Sequence, residues 1–253
     1  MSTPPSAEYF DEWYGNMAGL APRDEYHQRH LGLPPQLLST SLLTWDGIAD
    51  VVAALRLQPG ARLLDLACGR GGYGLEIAHR TQAQLVGVDF SAEAIRQATE
   101  SARRSGASAE FRVGDLAATG LPDGSFAAVV CVDAIQFSPG PEAFAELRRV
   151  LEPGGRVVLT TWEAYDRDDE LVTPRLRAVD TQTGLKAAGF ADVEVTERPA
   201  WRAAERALWE EAAALDPGDD PDLRSLHEEG VRVLARFDRV RRVLAGATAP
   251  RAT

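Results

Sequence analysis

A short apolar run that ends in an acid and passes straight into a cluster of glycines constrains this chain more than any other feature. Arg62-Leu-Leu-Asp-Leu66 reads as a strand, and Asp65-Leu-Ala-Cys-Gly-Arg-Gly-Gly-Tyr-Gly74 follows as a glycine-rich turn. Helical periodicity resumes over Leu75 to Arg80, so the segment opens a strand-turn-helix unit. The alternation then continues. Gln84 to Asp89 reads as a strand, and a helix is capped by Ser91 and stopped by Gly106. Glu110–Val113 and Phe126–Val132 are further strands, a helix spans Pro141 to Leu151, and Arg156–Thr161 is a fifth strand. Strands alternating with helices predict an α/β chain, with a mostly parallel sheet covered on both faces.

Before the turn, Tyr9, Phe10, Trp13 and Tyr14 fall at near-helical spacing, and a second helix is expected over Ser41 to Leu55. After the fifth strand the pattern loosens. Helices are expected over Asp180–Ala188, Trp201–Leu215 and Pro221–Phe237, with strands over Ala191–Thr196 and Arg242–Thr248. The expected fold is a Rossmann-like, mostly parallel seven-stranded sheet with added helical lid elements. Its expected divisions are an N-terminal helical cap over 1–57, a core over 58–200, a helical lid insertion over 201–240, and a last strand and tail over 241–253.

Composition narrows the function classes. The chain has 253 residues, a formal net charge of −11 and almost no lysine beside its arginines. A nucleic-acid partner calls for a basic face, so none is expected. No apolar run reaches the ~18 residues a membrane span requires. The first ten residues carry no basic or apolar stretch of the secretory kind. Cys68 and Cys131 are too few for a disulfide framework, which predicts a cytoplasmic setting. No His, Asp or Glu cluster has metal spacing, so no metal is expected.

Gly69, Gly71 and Gly74 satisfy the dinucleotide fingerprint, and Asp89 stands at the end of the next strand, where a ribose diol would sit. The glycines alone fit an NAD(P)-dependent oxidoreductase. Asp65 argues otherwise. A pyrophosphate favours the positive end of a helix and is repelled by a carboxylate, whereas a cationic cofactor benefits from one.

The series Asp65-Leu-Ala-Cys-Gly-Arg-Gly71, Val88-Asp-Phe-Ser91, Gly114-Asp-Leu116 with Leu121-Pro-Asp-Gly-Ser-Phe126, and Leu147-Arg-Arg-Val-Leu-Glu-Pro-Gly-Gly155 resembles the ordered motifs of class I S-adenosylmethionine-dependent methyltransferases. The likeness is strongest to the small-molecule type of quinone biosynthesis and natural-product tailoring. Ala67 departs from it, standing where the family usually has glycine. The resemblance implies S-adenosyl-L-methionine as cofactor and S-adenosyl-L-homocysteine as product. It implies that Asp65 and the backbone near Ala67 hold the methionine ammonium, and that Gly69 and Gly71 make room. Asp89 would grip the ribose, Phe90 and Leu116 would flank adenine, Asp115 would accept from its amino group, and the backbone at Cys131 and Val132 would face the sulfonium.

Methyl transfer needs alignment and dryness more than acid-base chemistry. If a base is used, Asp133 beyond the fourth strand and the N-terminal His27 and His30 are the candidates, with Asp133 and His30 named as catalytic. Arg70 either pairs with the cofactor carboxylate or faces solvent. Ser41 and Trp45 either close over the cofactor or pack their helix. The N-terminal aromatics and the late helices with Trp201 and Trp209 form either a lid or ordinary cores. The expected partner is a small, apolar or aromatic methyl acceptor, with the chain a monomer or homodimer. A non-catalytic cofactor-binding protein is the remaining alternative.

Overall fold

The computed structural model describes residues 6–16 and 22–251. Of the expected cap and tail, positions 1–5, 17–21, 252 and 253 lie outside the described residues.

The strands are β1 (Arg62–Leu66), β2 (Gln84–Asp89), β3 (Ala109–Val113), β4 (Phe126–Val132), β5 (Leu151–Ala164), β6 (Ala191–Glu197) and β7 (Val240–Thr248). They form one seven-stranded sheet in the order β3-β2-β1-β4-β5-β7-β6. β1 to β5 pair in parallel, and β7 lies antiparallel between β5 and β6. The expected Rossmann-like sheet is therefore observed. Strand order reverses between β1 and β4, and that switch point opens a crevice beyond the strand carboxyl ends.

The sheet is buried on both faces because its central strands are apolar on both. In β4, Ala128, Val130 and Val132 enter one core, while Val129 and Cys131 enter the other. The first core is closed by α3 (Trp45–Leu55), α4 (Gly72–Thr81) and α9 (Pro199–Ala214), through residues such as Ile48, Ile77 and Leu208. The second is closed by α6 (Pro141–Val150) and α8 (Thr181–Ala187), through Phe144, Leu147 and Leu185. The remaining helices are α1 (Ala7–Asn16), α2 (Pro22–Leu31), α5 (Ala92–Ser105), α7 (Pro174–Ala178) and α10 (Pro221–Leu234).

Several boundaries differ from the sequence reading, each for a local reason. α3 begins at Trp45, not Ser41, because the Thr44 hydroxyl accepts from the Gly47 amide at 3.0 Å and caps the helix there. β5 is far longer than Arg156–Thr161, since β7 pairs with it continuously from Arg156↔Thr248 to Ala164↔Val240. β7 itself is rich in alanine and glycine, and its place between two strands overrides weak propensity. α2 gave no sequence signal because its inward face is polar. Asp24, His27 and Gln28 are buried beside Tyr26 and Leu31.

Candidate functional site

The glycine turn leaves β1 through left-handed backbone, with φ of 57° at Ala67, 52° at Gly69 and 78° at Gly71. For Ala67 that conformation costs on the order of 1 kcal/mol, which its surroundings must offset. Hydrogen bonds supply part of this. The Cys68 amide donates to the Val88 carbonyl at 3.0 Å, and the Gly71 amide to the Cys68 carbonyl at 2.9 Å. The Gly69 amide donates to Asp89 Oδ2 at 2.8 Å.

Two carboxylates converge under this turn. Asp89, at the end of β2, also accepts from the Ser91 amide at 3.0 Å. Burial pushes its carboxyl up, against those amide bonds. Asp65 is buried at the end of β1, and burial together with the charge of Asp89 pushes it up to about 7. A side chain at Gly74 would place its Cβ 2.3 Å from Asp65 Oδ2, so glycine lets α4 close on the acid.

A cleft of about 480 Å³ opens above these residues. That lies within the range of small-molecule binding sites. Its floor holds Asp65, Ala67, Gly69 and Asp89, with Phe90 and Leu116 to one side and Val132, Asp133 and Ala134 to the other. The roof is α1. Phe10 reaches the rings of Phe90 at 5.2 Å and Phe137 at 5.7 Å. α1 is fastened to the start of α5, where Asp11 accepts from the Ser91 hydroxyl at 2.5 Å and the Glu93 amide at 3.1 Å. Gln97 donates to the Tyr14 carbonyl at 2.8 Å. The bonds from Ser91 and Glu93 hold the Asp11 carboxyl below its ordinary range, that from Ser91 most of all.

The structure redistributes the expected catalytic residues. Asp133 sits in left-handed backbone (φ 57°) on the cleft wall, but both its oxygens are engaged. Oδ2 accepts from the Leu42 amide at 2.9 Å and Arg242 Nη2 at 2.8 Å. Oδ1 accepts from the Thr160 hydroxyl at 2.6 Å and lies 2.6 Å from Arg242 Nη1. A carboxylate so saturated is a brace for the Ser41–Leu42 segment, and not a free base. Behind it, Arg242 is buried 4.0 Å over the Trp162 ring and near Glu205, which burial pushes up to about 7.

His30 is turned away from the cleft. Its Nε2 lies 2.9 Å from Glu211 Oε2 and its ring packs on Tyr26. The N-terminal histidine that lines the cleft is His27, whose buried Nε2 has no protein partner among the described residues. Burial, followed by the charges of Arg23 and Arg70, pushes it down to about 3, so its ring is neutral.

Other expectations change as well. Cys131 is wholly buried in the second core, and Val132 to Ala134 take the cleft wall in its place. Arg70 does not face solvent: it lines the cleft with its buried guanidinium gripping Asp24 of α2. Trp45 lies under Arg80, at 4.1 Å, away from the cleft, while Ser41 lines it. Trp209 reaches the cleft, and Trp201 packs beside Arg242 and Arg198. Asp115 lines the cleft with Oδ1 held by the Ala117 amide at 2.7 Å. Sequence reasoning missed Asp24, Arg175 and Arg232 as cleft residues, since nothing in their spacing ties them to the turn. The arginine wedged between two motif glycines was the one available signal for Asp24.

A Rossmann-like sheet with an acid-floored glycine turn at its switch point is the arrangement that the resemblance to class I methyltransferases led one to expect. Residues 63–155 match the family model described as a methyltransferase domain. The chain is 33% identical over 153 residues to 2-methyl-6-phytyl-1,4-hydroquinone methyltransferase of Synechocystis sp., a match covering 59% of this chain and 47% of that protein. It thus spans less than half the length of the curated relatives it matches.

Among solved structures, phosphoethanolamine N-methyltransferase 2 of Haemonchus contortus superposes with a TM-score of 0.75 at 18% identity. That match covers 96% of this chain and 58% of that one. The [4+2]-cyclase SpnF gives a TM-score of 0.75 at 22% identity, over 98% of both chains. At these identities the structural matches speak for the fold alone.

Proposed function

We propose that this chain is an enzyme that binds S-adenosyl-L-methionine in the cleft and transfers its methyl group to a small, apolar or aromatic metabolite. The observation that carries this reading is the pair of buried carboxylates, Asp65 and Asp89, directly beneath a glycine turn. Such a floor suits an ammonium, a sulfonium and a ribose diol, and opposes the pyrophosphate of NAD. In this reading Asp65 and the backbone at Ala67 face the methionine ammonium, and Asp89 takes the ribose hydroxyls. Phe90 and Leu116 flank adenine, and the free oxygen of Asp115 accepts from its amino group. Bound there, the cofactor supplies an activated methyl group and a neutral thioether leaving group.

The chain's own residues then align the acceptor and exclude water. Phe10, Phe137 and Trp209 give the acceptor an apolar bed, and α1 closes it from solvent. His27, neutral and with its buried Nε2 unpaired among the described residues, is the group placed at the cleft wall to accept a hydrogen bond from an acceptor hydroxyl.

Calorimetric titration with S-adenosylmethionine, S-adenosylhomocysteine and NAD tests the cofactor. Both sulfur nucleosides are expected to bind and NAD is not, and binding of NAD alone overturns the reading. A [4+2]-cyclase with the same fold along its whole length makes a different reaction on a bound small molecule the second reading. Mass spectrometry of acceptor screens decides it, since methyl transfer adds one methyl to the acceptor and converts cofactor to S-adenosylhomocysteine.

A further inference from the structure

The acceptor end of the cleft is charged opposite to its floor. In a chain of net charge −11, three arginines from three helices line it: Arg23 of α2, Arg175 of α7 and Arg232 of α10. The acid beside them, Glu229, is already paired with Arg23. Arg175 has no carboxylate within ion-pair distance among the described residues, and its guanidinium lies 4.8 Å over the Phe137 ring. For Arg232 the nearest ion-pair carboxylate is Glu228 of its own helix, 3.8 Å away and well exposed, a contact of little strength.

We propose that the methyl acceptor carries an anionic head group, a phosphate or a carboxylate, that docks on Arg175 and Arg232 while its apolar body lies against Phe10 and Phe137. The proposal rests on the cofactor reading above for which end of the cleft is which. It follows from field and geometry together. The acid floor favours a cationic cofactor, and the arginine mouth disfavours a cationic acceptor. Arg175 and Arg232 are also the arginines of the mouth with least counter-charge. Burial holds Arg23 below its ordinary value, Arg232 adding to it against the charges of Asp222 and Asp24, and Arg175 is held down by burial and then by Arg236. An anion between these groups gains charge-assisted hydrogen bonds and relieves that repulsion. The aromatic bed beneath Arg175 meanwhile fixes where the apolar part must lie.

Four matched probes test it, on free protein and on protein loaded with S-adenosylhomocysteine: 1-naphthyl phosphate, 1-naphthoate, 1-naphthol and 1-naphthylmethylammonium. At least one anion is expected to bind about ten-fold tighter than 1-naphthol, with the ammonium weakest. That advantage should shrink as salt is raised. The stronger of the two anions identifies the head group. Arg175→Gln and Arg232→Gln should each reduce anion binding and leave 1-naphthol and S-adenosylhomocysteine unaffected. Equal affinities, tighter binding of the ammonium, or no binding of either anion overturns the proposal. Failure of S-adenosylhomocysteine to bind strikes the cofactor reading instead, and the probe series on free protein separates the two.

Discussion

Arg70 and Asp24 form a bidentate ion pair with both side chains buried, although α2 and the glycine turn are 46 positions apart in sequence. Arg70 Nη1 donates to Asp24 Oδ2 at 3.0 Å, and Nη2 pairs with Oδ1. α2 is thereby tied to the loop that would receive the cofactor. Removing one partner strands a buried charge. Asp24→Asn should therefore cost about 3 kcal/mol in urea unfolding, whereas the apolar pair Asp24→Leu with Arg70→Met should recover most of that loss. A single substitution without measurable cost would show that the pair contributes nothing to holding the cap.

Asp89 serves the turn and, in the proposed function, the ribose. Asp89→Ala leaves the Gly69 and Ser91 amides without their partner, so stability should fall by about 1–3 kcal/mol and S-adenosylhomocysteine affinity by more than ten-fold. The two roles separate with a dideoxyribose analogue of S-adenosylhomocysteine. Wild type should discriminate strongly against the analogue, and Asp89→Asn only weakly. Equal discrimination by both proteins would remove the ribose role.

Asp65 makes the cleft sensitive to pH. Its carboxyl is raised from an ordinary 3.8 to about 7, so between those values the folded chain keeps a proton that the unfolded chain has released. Its contribution to stability therefore falls as pH rises through that window and is flat above it. The difference between wild type and Asp65→Asn should change by on the order of 4 kcal/mol across the window. Because an ammonium favours the ionised carboxylate, S-adenosylhomocysteine should bind more tightly as pH rises to about 7, releasing a proton on binding at about pH 6. Calorimetry in buffers of different ionisation enthalpy measures that proton, and its persistence in Asp65→Asn would assign it elsewhere.

Gly74 lies inside α4, where alanine is ordinarily the better helix former by about 1 kcal/mol. Here its Cβ would meet the Asp65 carboxyl at 2.3 Å. Gly74→Ala should therefore destabilise the protein by about 1–3 kcal/mol. A rise in thermal midpoint would show that Asp65 moves aside freely.

His27 combines a neutral ring with a buried, unpaired nitrogen at the cleft wall. If Nε2 receives the acceptor's hydrogen bond, His27→Phe should leave S-adenosylhomocysteine affinity unchanged while lowering turnover by about a hundred-fold. A proportionate loss of cofactor binding would indicate that the histidine only supports the fold.

What the chain alone determined was local and periodic. The strand ending at Asp65, the glycine turn, the Ser91 and Gly106 boundaries of α5 and the two-sided apolar strands follow from residue spacing, and they imply the parallel sheet and the cofactor end of the cleft. Side-chain partnerships across the fold were decided only by tertiary structure. Asp133 stood at the correct sheet edge, yet Arg242, 109 positions later, neutralises it. His27 and His30 are alike in sequence, and a turn of α2 sends one into the cleft and the other to Glu211. Arg175 and Arg232 become neighbours of one site because α7 and α10 are brought to its mouth. Periodicity reports which face of an element is apolar, but charge pairing depends on distances that exist only once the layers have packed.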